Sequence, residues 1–99
     1  MFRHVVMFRW KDEATDAQQQ AVRNALAALP DQIPQIRAYH LGADLRLNPE
    51  NFHLVLIADF ATQDDYLLYR DHPAHQRVIA EYIHPIAAQL ARVQYETTE

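Results

Sequence analysis

Two stretches of the chain are apolar on both of their alternating rows. In Arg3 to Trp10 (RHVVMFRW), Val6, Phe8 and Trp10 form one row and Val5 and Met7 the other, the pattern of a strand covered on both faces. Phe52 to Phe60 (FHLVLIADF) repeats it, with Phe52, Leu54, Leu56, Ala58 and Phe60 against Val55 and Ile57, so both stretches are predicted as central strands. Arg37 to Gly42 and Leu90 to Tyr95 are shorter candidates whose Arg and Gln content suits places nearer a sheet edge. Between the first two strands, Thr15 and Gln18 have capping-box spacing, and Val22, Ala25, Leu26 and Leu29 follow at helical intervals until Pro30, which is expected to end the helix. Thr62 with Asp65 caps a second helix through Tyr66, Leu67, Tyr69 and Arg70; it is punctuated at Pro73, continues through Val78, Ile79, Tyr82 and Ile83, and breaks near Pro85.

The order is β-α-β-β-α-β, an α+β arrangement of ferredoxin-like type: a four-stranded antiparallel sheet with helices on one face. The other face then carries Val5, Met7, Val55, Ile57 and Val93, an apolar patch that water penalises. At about 1.5 kcal/mol per side chain, packing two such sheets together gains on the order of 7 kcal/mol per protomer before association entropy. A homodimer is therefore expected, the alternative being a monomer whose open face is covered by a loop or used edge-on.

Ninety-nine residues suit one domain spanning 1–99. The absence of Cys excludes disulfide scaffolds, Cys-ligated metal centres and thiol nucleophiles, and a single glycine, Gly42, excludes glycine-rich phosphate loops. A net charge of −4 lacks the basic footprint of a nucleic-acid binder. No basic leader and no run of about 18 apolar residues stands in the chain, so the expectation is a soluble, cytoplasmic protein with no membrane partner.

Several blocks resemble the stress-responsive A/B barrel (Dabb) family: His4-Val5-Val6-Met7-Phe8-Arg9-Trp10-Lys11-Asp12 at the start, Ile33-Pro34, Phe60, His72-Pro73-Ala74-His75, and Val93-Gln94-Tyr95-Glu96 at the end. The resemblance runs over essentially the whole chain and implies a dimeric α/β barrel in which two ferredoxin-like sheets close on each other. It extends to plant polyketide cyclases similar to olivetolic acid cyclase, where a Tyr and a His promote an intramolecular aldol condensation without a cofactor. Those positions match Tyr69 and His75, and the cyclases' opening-strand His matches His4. The cyclases' bulky aromatics on the first helix are replaced by Val22, Arg23 and Leu26, so pocket shape and substrate do not carry over. Hydroxynitrile lyases, also free of cofactors, are related barrels.

His shuttles protons near neutral pH, and a Tyr can stabilise a developing enolate. His75, Tyr69 and His4 are accordingly the candidate catalytic residues, competing with a purely structural role as buried, satisfied hydrogen-bonding groups. Arg92 falls on the row opposite Val93 and Tyr95, the cavity side, where its guanidinium suits a substrate carboxylate; the plainer alternative is an Arg reaching solvent or a surface acid. Val6, Phe8, Val22, Leu26, Tyr39, Leu56 and His72 complete the expected pocket lining. Tyr39, with Tyr66, Tyr82 and Trp10, also reads as a core or interface aromatic. His72 and His75, with Asp71 or His84, have spacing for a metal, but Pro73 disfavours that geometry and no metal is expected. His40 and His53 flank strands and read as solvated or interfacial, while Arg9 and Asp59 are expected to pair across the sheet. Two functions follow: a cofactor-free cyclase or lyase acting on an apolar carbonyl compound, or a non-catalytic dimeric barrel that binds a small ligand or is merely structural. An open cavity of roughly 300 Å³ or more separates them, because an architectural core is filled by side chains.

Overall fold

In a computed structural model of the chain, which describes residues 1–98, β1 (Phe2–Trp10) lies at the centre of the sheet because both of its rows are apolar and need cover. The other elements are α1 (Asp16–Ala27), α2 (Leu29–Gln32), β2 (Ala38–Ala43), β3 (Leu54–Phe60), α3 (Gln63–Asp71), α4 (Pro73–Val78), a π-helical turn at Ile79–Ile83, and β4 (Ala87–Glu96). The strands stand in the order β2-β3-β1-β4, all antiparallel, so the two strongly apolar strands are central and the two weaker ones form the edges.

β3 begins at Leu54 rather than Phe52 because His53 ends the ladder. Its N–H donates to the Phe8 carbonyl at 2.8 Å and its ring Nδ1 accepts from the Trp10 N–H at 2.9 Å. β4 reaches back to Ala87, three residues before the predicted start. Ala87, Ala88 and Gln89 carry little strand propensity, and pairing with Arg9 and Trp10 decides their conformation.

The helices start as predicted. Thr15 and Gln18 form a reciprocal capping box, and the Thr62 hydroxyl accepts from the Asp65 N–H at 3.2 Å. Pro30, however, does not terminate a helix. α1 stops at Ala27, and Pro30 stands in the first turn of α2, where a missing N–H costs nothing. This second turn buries Leu29, and its cap Ile33 is also buried. The break before Pro73 splits the second helical segment, and His72 caps α4 with its Nδ1 accepting from the Ala74 N–H at 3.0 Å.

The core lies between sheet and helices. Val6, Phe8 and Trp10 of β1 and Leu54, Leu56, Ala58 and Phe60 of β3 meet Val22, Leu26, Leu29 and Tyr69 from the helical layer. The opposite face of the sheet carries no helix. There Met7 is 38% and Val93 53% exposed, with Val5, Val55 and Ile57 half-buried between them. Asp59 pairs with Arg3 rather than Arg9: the antiparallel register sets Arg3 directly opposite Asp59, and two bonds of 2.7 and 2.9 Å join them. That guanidinium holds the Asp59 carboxyl below its ordinary range. Arg9 lies at the other end of the strand, donating to the Glu50 carbonyl and lying 4.6 Å over the Phe52 ring. Among the described residues no helix is long and apolar enough to cross a membrane.

Candidate functional site

A cavity of about 330 Å³ opens between the helical layer and the inner face of the sheet. The sheet contributes His4, Val6 and Phe8 from β1, Leu56 from β3, and Leu90 and Arg92 from β4. The helices contribute Leu26, Tyr66, Tyr69, Arg70 and His75, followed by Ile79, Ile83 and His84 around the π-helical turn.

The two histidines are held in opposite proton arrangements, each for a local reason. The break at His72 leaves the Arg70 carbonyl among the unpaired acceptors at the end of α3. His75, three residues into the next helix, brings its Nδ1 to 2.9 Å from that oxygen. A carbonyl only accepts, so Nδ1 carries the proton and Nε2 is left with a lone pair. His4 stands opposite Gln94 across the β1–β4 ladder, and the Gln94 amide nitrogen lies 2.9 Å from the His4 Nδ1. An amide NH₂ only donates, so this Nδ1 accepts and the proton of the neutral ring sits on Nε2. Burial, followed by the positive influence of His75 and Arg92, pulls His4 down to about 4. His75 is also lowered, chiefly by burial, against the opposing bond to the Arg70 carbonyl and with Arg92 reinforcing the shift. Both rings are therefore neutral at pH 7, one presenting an acceptor and the other a donor.

Aromatic rings fill the space between them. The His4 ring is 4.9 Å from that of Tyr66 and 6.2 Å from that of Tyr69, and the Tyr69 ring packs on His75 at 4.2 Å. Tyr69 is fully buried, and its hydroxyl and that of Tyr39 are sealed from solvent within reach of each other, with no other hydrogen-bond partner. Burial raises both phenols, so both remain protonated. Neither histidine Nε2 is among the buried polar atoms that lack a partner.

Of the residues expected from sequence, His4, Tyr69, His75, Arg92, Val6, Phe8, Leu26 and Leu56 line the cavity. Three expected residues do not. Val22 is packed wholly into the core, His72 is occupied as a helix cap, and Tyr39 on edge strand β2 lies outside the lining. Tyr66, Arg70, His84, Ile79, Ile83 and Leu90 were not anticipated. Tyr66 was detectable, since it stands three residues before Tyr69 and so shares its helical face. His72 and His75 direct their Nδ1 atoms to separate backbone groups and do not converge on a metal. A wider groove of about 600 Å³ adjoins Met7 and Val55 on the helix-free side, but Asp44 and Glu50 are its only ionisable side chains and no histidine lines it.

The sequence pattern of the Stress responsive A/B Barrel Domain matches residues 2–97. The chain belongs to that family. The chain is similar to a dimeric ferredoxin-like protein of unknown function from Thermobifida fusca, with 38% identity, a TM-score of 0.88, and coverage of 97% of this chain and 90% of that one. A dimeric protein of ferredoxin-like fold and unknown function from Bacteroides fragilis is 28% identical to this chain, with a TM-score of 0.76 over 97% of this chain and 95% of that one. The hydroxynitrile lyase of Passiflora edulis shares the fold, at 20% identity and a TM-score of 0.86 over 99% and 94% of the two chains. No curated protein matches this sequence.

Proposed function

We infer that the protein is a homodimeric, cofactor-free acid–base enzyme of cyclase or lyase type that acts on a carbonyl compound in the cavity between helices and sheet. The observation that carries this reading is the complementary pair of neutral imidazoles in one cavity: His75 with a free lone pair on Nε2, His4 with a proton on Nε2. Such a pair suits proton removal from carbon next to a carbonyl. The C–H proton passes to His75 Nε2 while the His4 N–H donates to the carbonyl oxygen as enolate charge develops there. The enolate carbon then attacks a second carbonyl of the same molecule, and the new alkoxide takes back the proton held on His75; in the lyase direction the same exchanges run in reverse as the carbon–carbon bond breaks. Tyr69 supports the base rather than the substrate: its ring packs on His75 at 4.2 Å, while its hydroxyl is sealed beside that of Tyr39. The hydroxynitrile lyase and an antibiotic biosynthesis monooxygenase of the same fold are 20% and 19% identical to this chain, so they support catalysis on this fold in general and no particular reaction.

The dimer rests on the apolar, helix-free sheet face and on the dimeric description of the Thermobifida protein. One observation favours the second reading, a barrel that binds its ligand without turnover: the Tyr69 hydroxyl is sealed from solvent. Deuterium exchange decides between the two. Methyl ketones incubated with the protein in D₂O are expected to exchange their α-protons faster than in buffer, and His75→Ala is expected to lose about 100-fold or more of that rate. Exchange no faster than buffer, or unchanged in His75→Ala, refutes the enzyme reading.

A further inference from the structure

The cavity has an unequal charge distribution for an acidic protein. The chain carries a net charge of −4, yet no Asp or Glu lines the cavity, whose ionisable groups are Arg70, Arg92, three histidines and two tyrosines. The two arginines differ. Arg70 is neutralised by its neighbour Asp71 through bonds of 2.9 and 3.1 Å. Arg92 is exposed at the cavity mouth and forms no ion pair among the described residues, although its charge reaches both His4 and His75. It projects from β4 beside Leu90, and the wall behind it is apolar, formed by Phe8, Leu26 and Ile79. Beside that wall His4, its Nδ1 engaged by Gln94, keeps an Nε2 proton to which no protein group is hydrogen-bonded among the described residues. Cation at the mouth, apolar wall and free donor describe a ligand with an anionic end, a hydrocarbon body and an oxygen acceptor.

We propose that the substrate is a diketo monocarboxylate, its carboxylate held by Arg92 at the cavity mouth, one ketone directed inward to His4 and His75 for enolate formation and the second ketone supplying the carbon that the enolate attacks. This deepens the acid–base reading above and rests on it. An unpaired guanidinium is the group best matched to a carboxylate, which it can engage with two parallel N–H donors. At about 30 Å³ per water-sized group, the cavity volume of about 330 Å³ admits a body of modest length.

The test uses the dimer as purified, with oxo-carboxylates of roughly six to ten carbons and their methyl esters as probes. Affinity is measured by calorimetry, and site contact by the histidine ring resonances in NMR. The wild type is expected to bind at least one acid about tenfold or more tightly than its ester. Arg92→Gln is expected to erase that preference by weakening the acid to the level of the ester, and Arg92→Lys to retain part of it. Equal affinity for acid and ester, a preference that survives in Arg92→Gln, or no binding of any probe overturns the proposal. The two readings fail separately. Acid and ester that bind equally and both shift the His4 and His75 rings remove the carboxylate while leaving the acid–base pair standing. An Arg92-dependent preference with both rings unmoved and no α-proton exchange removes the acid–base pair alone.

Discussion

Replacing Val55 by Asp tests the pairing of two sheets. Val55 stands on the helix-free side of β3, directly opposite Met7 of β1, so the substitution leaves the core on the other face untouched. Full burial of Val5, Met7, Val55, Ile57 and Val93 gains about 7 kcal/mol per protomer, but the structure lowers that figure. Val5, Val55 and Ile57 are already half-buried by their neighbours, and only Met7 and Val93 are well exposed. About half of the gain remains, on the order of 7 kcal/mol for the two faces of a dimer together, against an association cost of at least about 4 kcal/mol. The sheet faces alone therefore give only a modest dimer, and further apolar contact is required. Leu45 and Leu47, 81% and 79% exposed on the β2–β3 connection, together with Tyr95 on β4, are placed to supply it. Against so narrow a margin, two carboxylates buried by symmetry, each costing several kcal/mol, leave no stable dimer. Analytical ultracentrifugation at about 10 μM, near micromolar affinity, is expected to give a dimer for the wild type and a monomer for Val55→Asp, with the circular dichroism of a folded chain in both. A folded Val55→Asp protein that sediments as a dimer would refute the assignment of this face.

Three further outcomes follow from the same structure. Leu45→Ser combined with Leu47→Ser is expected to weaken the dimer about tenfold or more in dilution experiments while leaving monomer stability within about 0.5 kcal/mol, because both side chains are almost wholly in water in the single chain. Acid is expected to destabilise the fold: His4 takes its proton near 6.5 when unfolded but only at about 4 when folded, so between those values the unfolded chain binds more protons. At roughly 1.4 kcal/mol per pH unit, His4 alone accounts for a loss of about 3 kcal/mol between pH 6.5 and 4. His75 acts in the same direction; urea unfolding that is flat across this interval would contradict the burial of His4. Arg92→Gln is expected to raise the titration midpoints of both histidines by NMR, since the Arg92 charge opposes a second positive charge on either ring; unchanged midpoints would place Arg92 outside the cavity.

The layered fold was legible because its signals are local. Two-sided apolar rows place β1 and β3 at the centre, and Thr15 and Thr62 set helix starts through bonds only three residues long. Strand parity puts His4 on one row with Val6 and Phe8 and sets Arg92 opposite Val93 and Tyr95, and the family resemblance turns those rows toward the helices, where they line the cavity. What sequence did not show depends on remote partners or on competition between local structures. The register that joins Asp59 to Arg3 instead of Arg9 is a property of two paired strands, and no spacing within either one encodes it. His72 resembles a pocket residue by its place in the motif, yet a capping bond to the Ala74 N–H engages it. The π-helical turn that brings Ile83 and His84 to the cavity has no distinct hydrophobic period. The imidazole proton arrangements come from the Arg70 carbonyl freed by a helix break and from Gln94, ninety residues from His4.

The protonated nitrogen of each ring is directly observable. Long-range ¹H–¹⁵N correlation spectra of the ¹⁵N-labelled protein at pH 7 are expected to show His75 neutral with its proton on Nδ1 and His4 neutral with its proton on Nε2. The same tautomer on both rings, or a charged imidazolium at either, would contradict the donor–acceptor pair on which the proposed chemistry depends.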